Sequence, residues 1–395
     1  MDDNQPINIG PDGVPEPPSS VSAEAHPHSA RQLIGRRKRR MMPAFWYRWD
    51  RKTKILSSSA VVLVLAAATA AVYTNFINKS HGATQVTQNA HKVAKPTTVA
   101  SPLSGVQVSP EQAKRPVTGI MIENSPDARP QSGLQNAGVV FEAIAEGGIT
   151  RFLALFQEGQ PPYVGPVRSL RTYYIDWAGS FDAPIAHVGG SPTALDRIRT
   201  GGKDLDQFFN ANSYFRVNSR RGPHDVYTGF DKLDALNNSK GYTASKFDSW
   251  PRKADAPSAN GAAKVIDVGI SSALYNSHYN YDGNSNTYLR SEGDLPHIVT
   301  AAEDGSGSLQ LQPKVLVILV MGFSIVDSDG HGGYDTIGSG PVYVFQDGGV
   351  TNGTWTKASP PSQFLFKDTS GQPINLNAGQ TWVTVAQDGQ LHYSP

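Results

Sequence analysis

The feature that most constrains this chain is an uncharged, apolar stretch of 23 residues, Ile55–Ile77. A helix of that length can cross a hydrocarbon core of about 30 Å while satisfying its own backbone hydrogen bonds. Basic residues crowd the preceding segment Arg36–Lys54, whereas Lys79 alone follows closely after the stretch. By the positive-inside rule, the pattern predicts a single-pass transmembrane helix with residues 1–54 in the cytoplasm and residues 78–395 outside the membrane.

Two other interpretations of Ile55–Ile77 stay open. A buried core helix would need packing partners, but both flanks are polar and low in complexity. A cleaved signal peptide could use the small residues at Ala66–Ala71, but the 54 residues before the stretch are far more than a signal peptide usually carries. The flanking charges therefore favour a membrane anchor.

Charge is distributed unevenly along the chain. Residues 1–77 hold 10 Lys/Arg against 6 Asp/Glu, and the remaining residues hold 25 against 28. The region after the anchor is slightly acidic, so we expect no nucleic-acid binding by counterion release. The chain contains no cysteine, which excludes disulfides, a thiol nucleophile, a Cys-ligated zinc site and a lipid-modified cysteine within this sequence.

Composition divides the chain into segments, and a Pro/Ala/Ser/Asn-rich stretch at Pro251–Ala262 marks a boundary inside the folded part. We predict an α+β fold, in which a mixed α/β exported domain is followed by a mainly antiparallel β domain. The predicted segments are a disordered basic tail at 1–54, the transmembrane helix at 55–77, a flexible linker at 78–112, the mixed domain at 113–250, a linker at 251–261 and the mainly β domain at 262–395.

Apolar runs and turn residues predict the elements of both domains. In the first domain the predicted elements are a strand at Val117–Ile122, a hairpin of Gly138–Ala145 and Ile149–Gln157, a helix at Ser169–Phe181, a strand at Pro184–Val188 and a helix from Pro192 to about Arg199. In the second domain the predicted strands are Lys264–Ile270, Asn286–Arg290, Lys314–Met321, Pro341–Gln346, Thr354–Thr356, Gln363–Lys367 and Thr381–Ala386.

Long motifs in both domains resemble the YerB-like family of bacterial lipoproteins. The motifs are ARPQSGLQNAGVVFEAIAEGGITRFLALFQ (Ala128–Gln157), VGPVRSLRTYYIDWA (Val164–Ala178), HVGGSP (His187–Pro192), RGPHDVYT (Arg221–Thr228), YDGNSNTYLR (Tyr281–Arg290), GPVYVFQDGGVTNGTW (Gly340–Trp355) and LNAGQTWV (Leu376–Val383). The resemblance implies an exported, envelope-attached protein with two domains of unknown function, and it implies no particular reaction. Many relatives resemble lipid-anchored proteins with an N-terminal cysteine, whereas this chain has a predicted helix in that place.

Polar residues between Arg129 and Asp225 predict an anion-binding site. Arginine binds carboxylate or phosphate bidentately, and the N–H groups at the start of a helix favour a negative charge. The predicted ligand-binding residues are Arg151, Arg168, Arg171, Gly189, Gly190, Ser191, Arg221, His224 and Asp225. The alternative, which stays open, is that these arginines pair inside the domain with Glu142, Glu146, Asp176 and Asp182.

Catalytic chemistry has two candidate residues, His187 and His224, because histidine titrates near neutrality. A nucleophile would have to be Ser169, Ser191 or Thr150, and none of these stands in a diagnostic motif. The oxygen-rich stretch that begins at Asp282 lacks the full pattern of a calcium loop and is interpreted as a hairpin turn. The stretch that begins at Asp327 is interpreted as a solvated loop between strands. No metal and no cofactor is predicted.

Three functions remain open on the sequence alone. The first is a membrane-anchored envelope protein that binds an anionic ligand, such as a cell-wall polymer, or an envelope protein. The second is an extracytoplasmic hydrolase or transferase that acts on an anionic cell-wall polymer, with arginines as charge clamps. The third is a non-catalytic envelope scaffold whose arginines are structural.

Overall fold

A computed structural model describes residues 97–258 and 261–395, together with Ala66, Ala67 and Thr69. The chain divides into two compact units, Met1–Ala90 and His91–Pro395. The three residues described in the first unit are helical, and the Thr69 hydroxyl donates to the Ala66 carbonyl at 3.1 Å. The rest of the predicted membrane helix, the predicted tail and most of the first linker lie outside the described residues. In the part of the chain that is described, no helix combines the length and apolar character needed to span a bilayer.

The second unit contains four described α-helices and three short 3-10 helices. The α-helices are α1 Pro110–Ala113, α2 Thr172–Gly179, α3 Pro192–Gly201 and α4 Phe230–Ser239. The 3-10 helices are Pro126–Ala128, Leu134–Asn136 and Ala211–Ser213.

Strands make up most of the regular structure. They are β1 Val99–Ala100, β2 Gln107–Val108, β3 Thr118–Glu123, β4 Gln131–Ser132, β5 Val139–Ile144, β6 Thr150–Phe156, β7 Ile185–His187, β8 Asp204–Asp206, β9 Phe215–Arg216, β10 Val226–Tyr227, β11 Arg252–Lys253, β12 Val265–Val268, β13 Ser277–Asp282, β14 Thr287–Glu292, β15 Leu295–Pro296, β16 Ile298–Thr300, β17 Leu309–Gln310, β18 Val315–Val320, β19 Phe323–Ile325, β20 Gly332–Tyr334, β21 Gly338–Gln346, β22 Gly349–Lys357, β23 Leu365–Asp368, β24 Leu376–Asn377, β25 Thr381–Ala386 and β26 Leu391–Ser394.

A ten-stranded sheet, in the order β23-β22-β21-β18-β25-β5-β6-β3-β7-β8, organises the second unit. β25 is parallel to both of its neighbours, β18 and β5. β5, β6 and β3 are antiparallel, and β3, β7 and β8 are parallel. β3, β6 and β25 are buried along their whole length. Their mainly apolar sequences suit strands that are covered on both faces.

Two hydrophobic cores cover the opposite faces of this sheet. Because side chains alternate along a strand, Phe141 of β5 and Leu153 of β6 enter one core, whereas Val140 and Phe152 enter the other. The first core holds α2, whose Trp177 stacks on Phe141 with ring centroids 5.4 Å apart. The second core is covered by α4 and by a five-stranded sheet, β15-β14-β13-β12-β26.

The mixed α and β composition is confirmed, as are the hairpin of β5 and β6 and the helix that begins at Pro192. The helix predicted at Ser169–Phe181 is shorter and spans Thr172–Gly179. Its first residues are extended instead, because Val167 and Leu170 form bridges with Ile122 and Gly190.

Strands from both sides of the predicted linker 251–261 share the ten-stranded sheet. β25 pairs with β5 through Trp382 and Val140. Within the predicted linker, Arg252–Lys253 form β11 and pair in parallel with β24. The second half of the chain is therefore joined to the first through a continuous sheet, and it includes parallel as well as antiparallel pairs.

Candidate functional site

The candidate site lies where β3 and β7 end. β3 ends at Glu123 and its parallel neighbour β7 ends at His187. In sheets with parallel strands, ligands bind in the crevice beyond the carboxyl ends of the strands. Two further segments are held at this edge by backbone hydrogen bonds, since Arg168 N–H donates to Met121 at 2.9 Å and Val167 N–H donates to Val226 at 2.7 Å.

Glu123 is the centre of the first group of contacts. Its Oε2 lies 2.9 Å from Nδ1 of His224, and its Oε1 accepts a hydrogen bond from the Ser125 hydroxyl at 2.9 Å. Arg168 brings Nε within 3.3 Å of Oε1. Because Glu123 is only 4% exposed, these neighbours rather than water balance its charge. The Arg168 side chain is 29% exposed, and its guanidinium makes no hydrogen bond with any described residue.

Glu146 is the centre of a second group, in the turn between β5 and β6. Gly147 and Gly148 adopt φ values of 59° and 74°, which favour glycine. Glu146 pairs with Arg171 and, at 3.3 Å, with Arg151. Burial acts to raise the pKa of Glu146, but the Arg171 hydrogen bond and the Arg151 charge outweigh it and lower that pKa. Burial lowers the pKa of Arg171, and the Arg151 charge adds to this effect.

Arg151 joins the two groups. It stands directly opposite Glu123 in the antiparallel pair of β3 and β6, where opposed side chains share one face. Its Nη1 donates to the carbonyl of Ser169, which lies between Arg168 and Arg171, at 3.1 Å. Three guanidinium groups therefore meet two carboxylates, and the excess charge is positive. The arginine cluster is defined here as Glu123, Glu146, Arg151, Arg168, Arg171 and His224.

His187 does not join the arginine cluster. Its side chain is fully buried, with Nδ1 2.8 Å from the Gly189 carbonyl and Nε2 3.0 Å from Asp204. Both ring nitrogens are therefore engaged inside the fold, which gives His187 a structural position.

The glycine turn at the start of α3 is also occupied by internal partners. The N–H of Gly189 donates to Asp206 at 3.0 Å, and Gly190 bridges to Leu170. Ser191 is the N-cap of α3, but its side chain makes no capping hydrogen bond. The N–H of Gly189, which is predicted from the sequence to bind an external anion, therefore donates to the carboxylate of Asp206 instead.

A cavity of about 800 Å³ opens beside the arginine cluster, with His224 in its lining. Its walls come from residues 127–132, 219–227 and 300–305, together with Tyr163. Both halves of the chain therefore contribute to it. We name this space the Arg221 cavity.

The two arginines of this cavity differ in their contacts. Arg220 donates to two backbone carbonyls at 2.7 and 2.6 Å. Arg221 is exposed, and its guanidinium has no hydrogen bond or ion pair with the residues that the structure describes. Asp225 is paired with Arg216 at 2.7 Å. Of the predicted ligand residues, Arg221 and His224 line this cavity.

A further set of charges, which the sequence analysis did not identify as a group, lies inside the protein. Arg290 is fully buried and donates to Glu142 at 2.8 Å and to Glu292 at 3.3 Å. Its guanidinium also lies over the ring of Trp382, 4.6 Å from the centroid. Burial raises the pKa of Glu292 to about 7. Because the pairing residues come from both halves of the chain, sequence spacing carries little signal for this network.

The oxygen-rich stretches of the second half close turns. Asp282 accepts from the N–H of Asn284 at 3.0 Å, and Asp327 accepts from the N–H groups of Asp329 and His331 at 3.1 and 3.0 Å. Within the described ranges, no three His, Asp or Glu residues are arranged to hold a metal ion.

The protein with this mixed sheet and polar crevice belongs to a class of proteins of unknown function that have an N-terminal and a C-terminal part. One family model, "Protein of unknown function (DUF3048) N-terminal domain", matches residues 103–243 and includes the whole arginine cluster. A second, the DUF3048 C-terminal domain, matches residues 266–383 and includes Arg290 and the first half of β25. The chain belongs to the DUF3048 family, whose YerB-like motifs it shares.

Two similar proteins support this assignment. The chain is 32% identical over 296 residues to "Putative lipoprotein YerB" of Bacillus subtilis (strain 168), covering 73% of this chain and 86% of that protein. It also matches the crystal structure of the YerB protein from Bacillus subtilis with a TM-score of 0.67 and 28% identity, covering 75% of this chain and 100% of that one. The resemblance that the motifs indicate is thereby confirmed.

Proposed function

We propose that this chain is a membrane-anchored, extracytoplasmic protein of the cell envelope that binds an anionic envelope ligand or partner. The binding residues in this proposal are the arginine cluster and the exposed Arg221. Support for the location comes from the charges that flank Ile55–Ile77 and from the lipoprotein name of the Bacillus relative. In this proposal the helix at Ile55–Ile77 attaches the chain to the membrane, as the covalently bound lipid does in a lipoprotein.

The observation that carries the binding proposal is the state of Arg168. Its side chain is partly exposed, lies in a cluster with excess positive charge and completes no hydrogen bond with any described residue. A guanidinium presents five donors in a planar fork that matches carboxylate or phosphate. Arg151 and Arg171, by contrast, are buried against Glu146 and hold the site in shape.

Binding can be tested by retention of the purified full-length chain on isolated cell-wall material. Replacing Arg168 with alanine removes a charge-assisted hydrogen-bond donor, so we expect retention to weaken by about tenfold. Lys240→Ala is the matched control, because it removes the same charge from the exposed end of α4.

Two outcomes would contradict the binding proposal. If Arg168→Ala and the wild type are retained equally, while circular dichroism shows both to be folded, the arginine cluster is not the binding site. If Lys240→Ala weakens retention as much as Arg168→Ala, the interaction is non-specific.

The proposed topology has a separate test. On intact cells, an added protease should cleave residues 113–395 and leave the N-terminal tail protected, which epitope tags at both ends would report. Protection of residues 113–395 until the cells are permeabilised would refute export.

A second candidate function is hydrolysis or group transfer, and the contact between Glu123 and His224 favours it. When Nδ1–H of His224 donates to Glu123, the neutral ring carries its lone pair on Nε2, as a general base requires. Nε2 has no partner among the described residues. The Ser125 hydroxyl lies 3.5 Å from Nδ1 rather than beside Nε2, so water or a ligand hydroxyl, not Ser125, would be the nucleophile.

Turnover distinguishes this candidate from binding alone. The full-length chain would be incubated with envelope fractions and released products measured by mass spectrometry. If His224 is a base, His224→Asn should abolish release, whereas it should weaken retention by less than Arg168→Ala does. Release that is absent in the wild type, or unchanged in the variant, would exclude this role.

A further inference from the structure

The Arg221 cavity differs from an ordinary apolar ligand pocket. Pockets for small ligands are mostly hydrophobic, with a few polar groups that orient the ligand. This cavity is instead lined by charged and hydroxyl side chains, including those of Arg221, Glu303 and Asp304. Its volume of about 800 Å³ is within the range that accepts a drug-sized molecule. A ligand of this cavity must therefore be polar.

Charges of both signs line the cavity, and they stand on different segments. The positive groups, Arg220 and Arg221, belong to the loop at 219–224, and the carboxylates of Glu303 and Asp304 belong to the loop at 300–305. The two loops touch, since the Ser219 hydroxyl donates to Glu303 at 3.0 Å. The cavity therefore offers an anion-binding wall and a cation-binding wall side by side.

Several of these charges have few internal partners. Arg221 has none among the described residues, and Glu303 receives a single neutral hydroxyl. Asp127, on a third wall, contributes its backbone carbonyl to Arg220, while its exposed carboxylate has no hydrogen-bond or ion-pair partner within the described ranges. Unpaired charges at a cavity wall favour a ligand that brings the opposite charges.

Tyr163 and Tyr227 form an aromatic wall of the cavity, and both the positive and the negative groups act on it electrostatically. Tyr163 stacks on Tyr227 with ring centroids 4.5 Å apart and an interplanar angle of 15°. Burial raises the pKa of Tyr163, with Tyr227 and the charge of Glu303 adding to the effect and Arg220 opposing it. The positive and negative groups therefore act on the same small volume.

From this arrangement we propose that the Arg221 cavity binds a short peptide with a free carboxylate and a free ammonium group. The carboxylate pairs with Arg221 beside His224, and the ammonium group pairs with Glu303 and Asp127. An extended polyanion would be repelled by the three carboxylates, and a purely cationic ligand by the arginines. This inference rests on the proposed function, since it names the class of ligand whose anionic end reaches the arginine cluster.

Matched peptide probes test the proposal with the full-length chain. The probes are tetra-alanine, its N-acetylated form and its C-terminal amide, each titrated by isothermal calorimetry up to about 10 mM. We expect the free peptide to bind, and each blocking group to weaken its affinity by about tenfold because one charge pair is lost.

Two variants assign each end of the peptide. In Glu303→Gln, N-acetylation should change the affinity less than in the wild type, because Asp127 alone still faces the ammonium group, and in Arg221→Ala, C-terminal amidation should no longer change it. Asp388→Asn and Lys240→Ala remove exposed charges elsewhere and should leave both differences intact. Both test residues are exposed, so their replacement should leave the fold unchanged.

Two results would overturn the proposal. One is that tetra-alanine does not bind, and the other is that blocked and free peptides bind equally well. If Arg168-dependent retention on wall material persists in either case, the binding function stands and only the peptide assignment fails. If that retention is also absent, the proposed function fails with it.

Discussion

Arg290, Glu142 and Glu292 are charged side chains held almost entirely out of water. Glu142 also accepts a hydrogen bond from the indole of Trp382 at 2.8 Å. Removing one member of a buried ion group leaves an uncompensated charge, so such a group favours a single arrangement of the residues around it. Arg290 faces both carboxylates, Arg129 lies 3.4 Å from Glu292, and burial still raises the pKa of Glu292 to about 7, above its ordinary 4.5.

The first prediction concerns the pH dependence of stability. Because the pKa of Glu292 is higher in the folded state, its protonated form stabilises the fold fully below pH 4.5, and this stabilisation is lost as the pH rises through about 7. Glu292→Gln removes the titration but retains an oxygen that can accept from Asn124. The wild-type free energy of unfolding should therefore fall by roughly 3 kcal/mol relative to the variant across that window.

Urea denaturation at a series of pH values measures this difference. The neighbouring His297 acts in the opposite direction, because burial lowers its pKa, so its contribution to stability is full above its ordinary pKa of 6.5 and is lost as the pH falls from there towards the lowered value. Both proteins contain His297, so subtracting one curve from the other leaves the titration of Glu292 together with its coupling to His297, whose Nδ1 lies 3.5 Å from it. A difference that does not change with pH would contradict the prediction.

At the residue scale, the sequence predicted part of the site. Arginines beside glycine turns pointed to Arg151, Arg168 and Arg171, and Glu146 is close to Arg151 in the sequence. Glu123 was not predicted, because it looks like the end of an apolar strand, and only the register of β3 against β6 brings it opposite Arg151. Arg151 and Arg171 pair internally with Glu146, as the second interpretation of the arginines expects, whereas ligand binding by Arg168 stays a prediction.

At the scale of single elements, β22 and β23 approach each other unusually closely at Gly353. A Cβ atom at this position would lie 1.9 Å from the carbonyl oxygen of Lys367, which is backbone and cannot rotate away. The absence of a side chain therefore allows β23 to complete this edge of the ten-stranded sheet.

The second prediction is that Gly353→Ala destabilises the protein by about 1–3 kcal/mol, because the two strands must separate. Hydrogen exchange should be faster in β23 than in β3. Gly201→Ala, in the last turn of α3, meets no atom within 4 Å and should be neutral or stabilising by up to about 1 kcal/mol. Equal unfolding midpoints for the wild type and Gly353→Ala would refute the steric argument.

Element prediction succeeded where apolar runs were long and failed where strands carry glycine and asparagine. β3, β18 and β25 were predicted within one or two residues. β22 was predicted only at Thr354–Thr356, because the Gly, Thr and Asn of its first half resemble a turn, yet they pair with β21 along their whole length. Helix α4 was missed, although Phe230, Leu233 and Leu236 have helical spacing and are buried.

At the scale of the whole molecule, chain order and sheet order differ. β25 belongs to the second half of the chain and lies between β18, from the same half, and β5, from the first half. Local periodicity predicts strands but not which strands pair, so this arrangement could not be derived from the sequence. The predicted boundary at 251–261 follows composition, whereas the sheet crosses it.

The third prediction is that residues 97–258 do not fold alone. Without β25, the edge of β5 is unpaired, and Glu142 loses its partner Arg290. We expect this fragment to show no cooperative transition in urea, measured by tryptophan fluorescence and circular dichroism. Residues 97–395 should unfold in one transition under the same conditions. A sharp transition for the shorter fragment would mean that the first half is an independent domain.

The position of β25 also sets the order of folding events during synthesis. In chain order, β25 comes after the nine other strands of its sheet. A chain that emerges from the ribosome with its N-terminus first therefore cannot close this sheet until β25 has emerged. Until then the sheet is incomplete, and Val140 and Phe141 of β5 are exposed to solvent, which favours aggregation. The ten-stranded sheet therefore closes only when nearly the whole chain has been made.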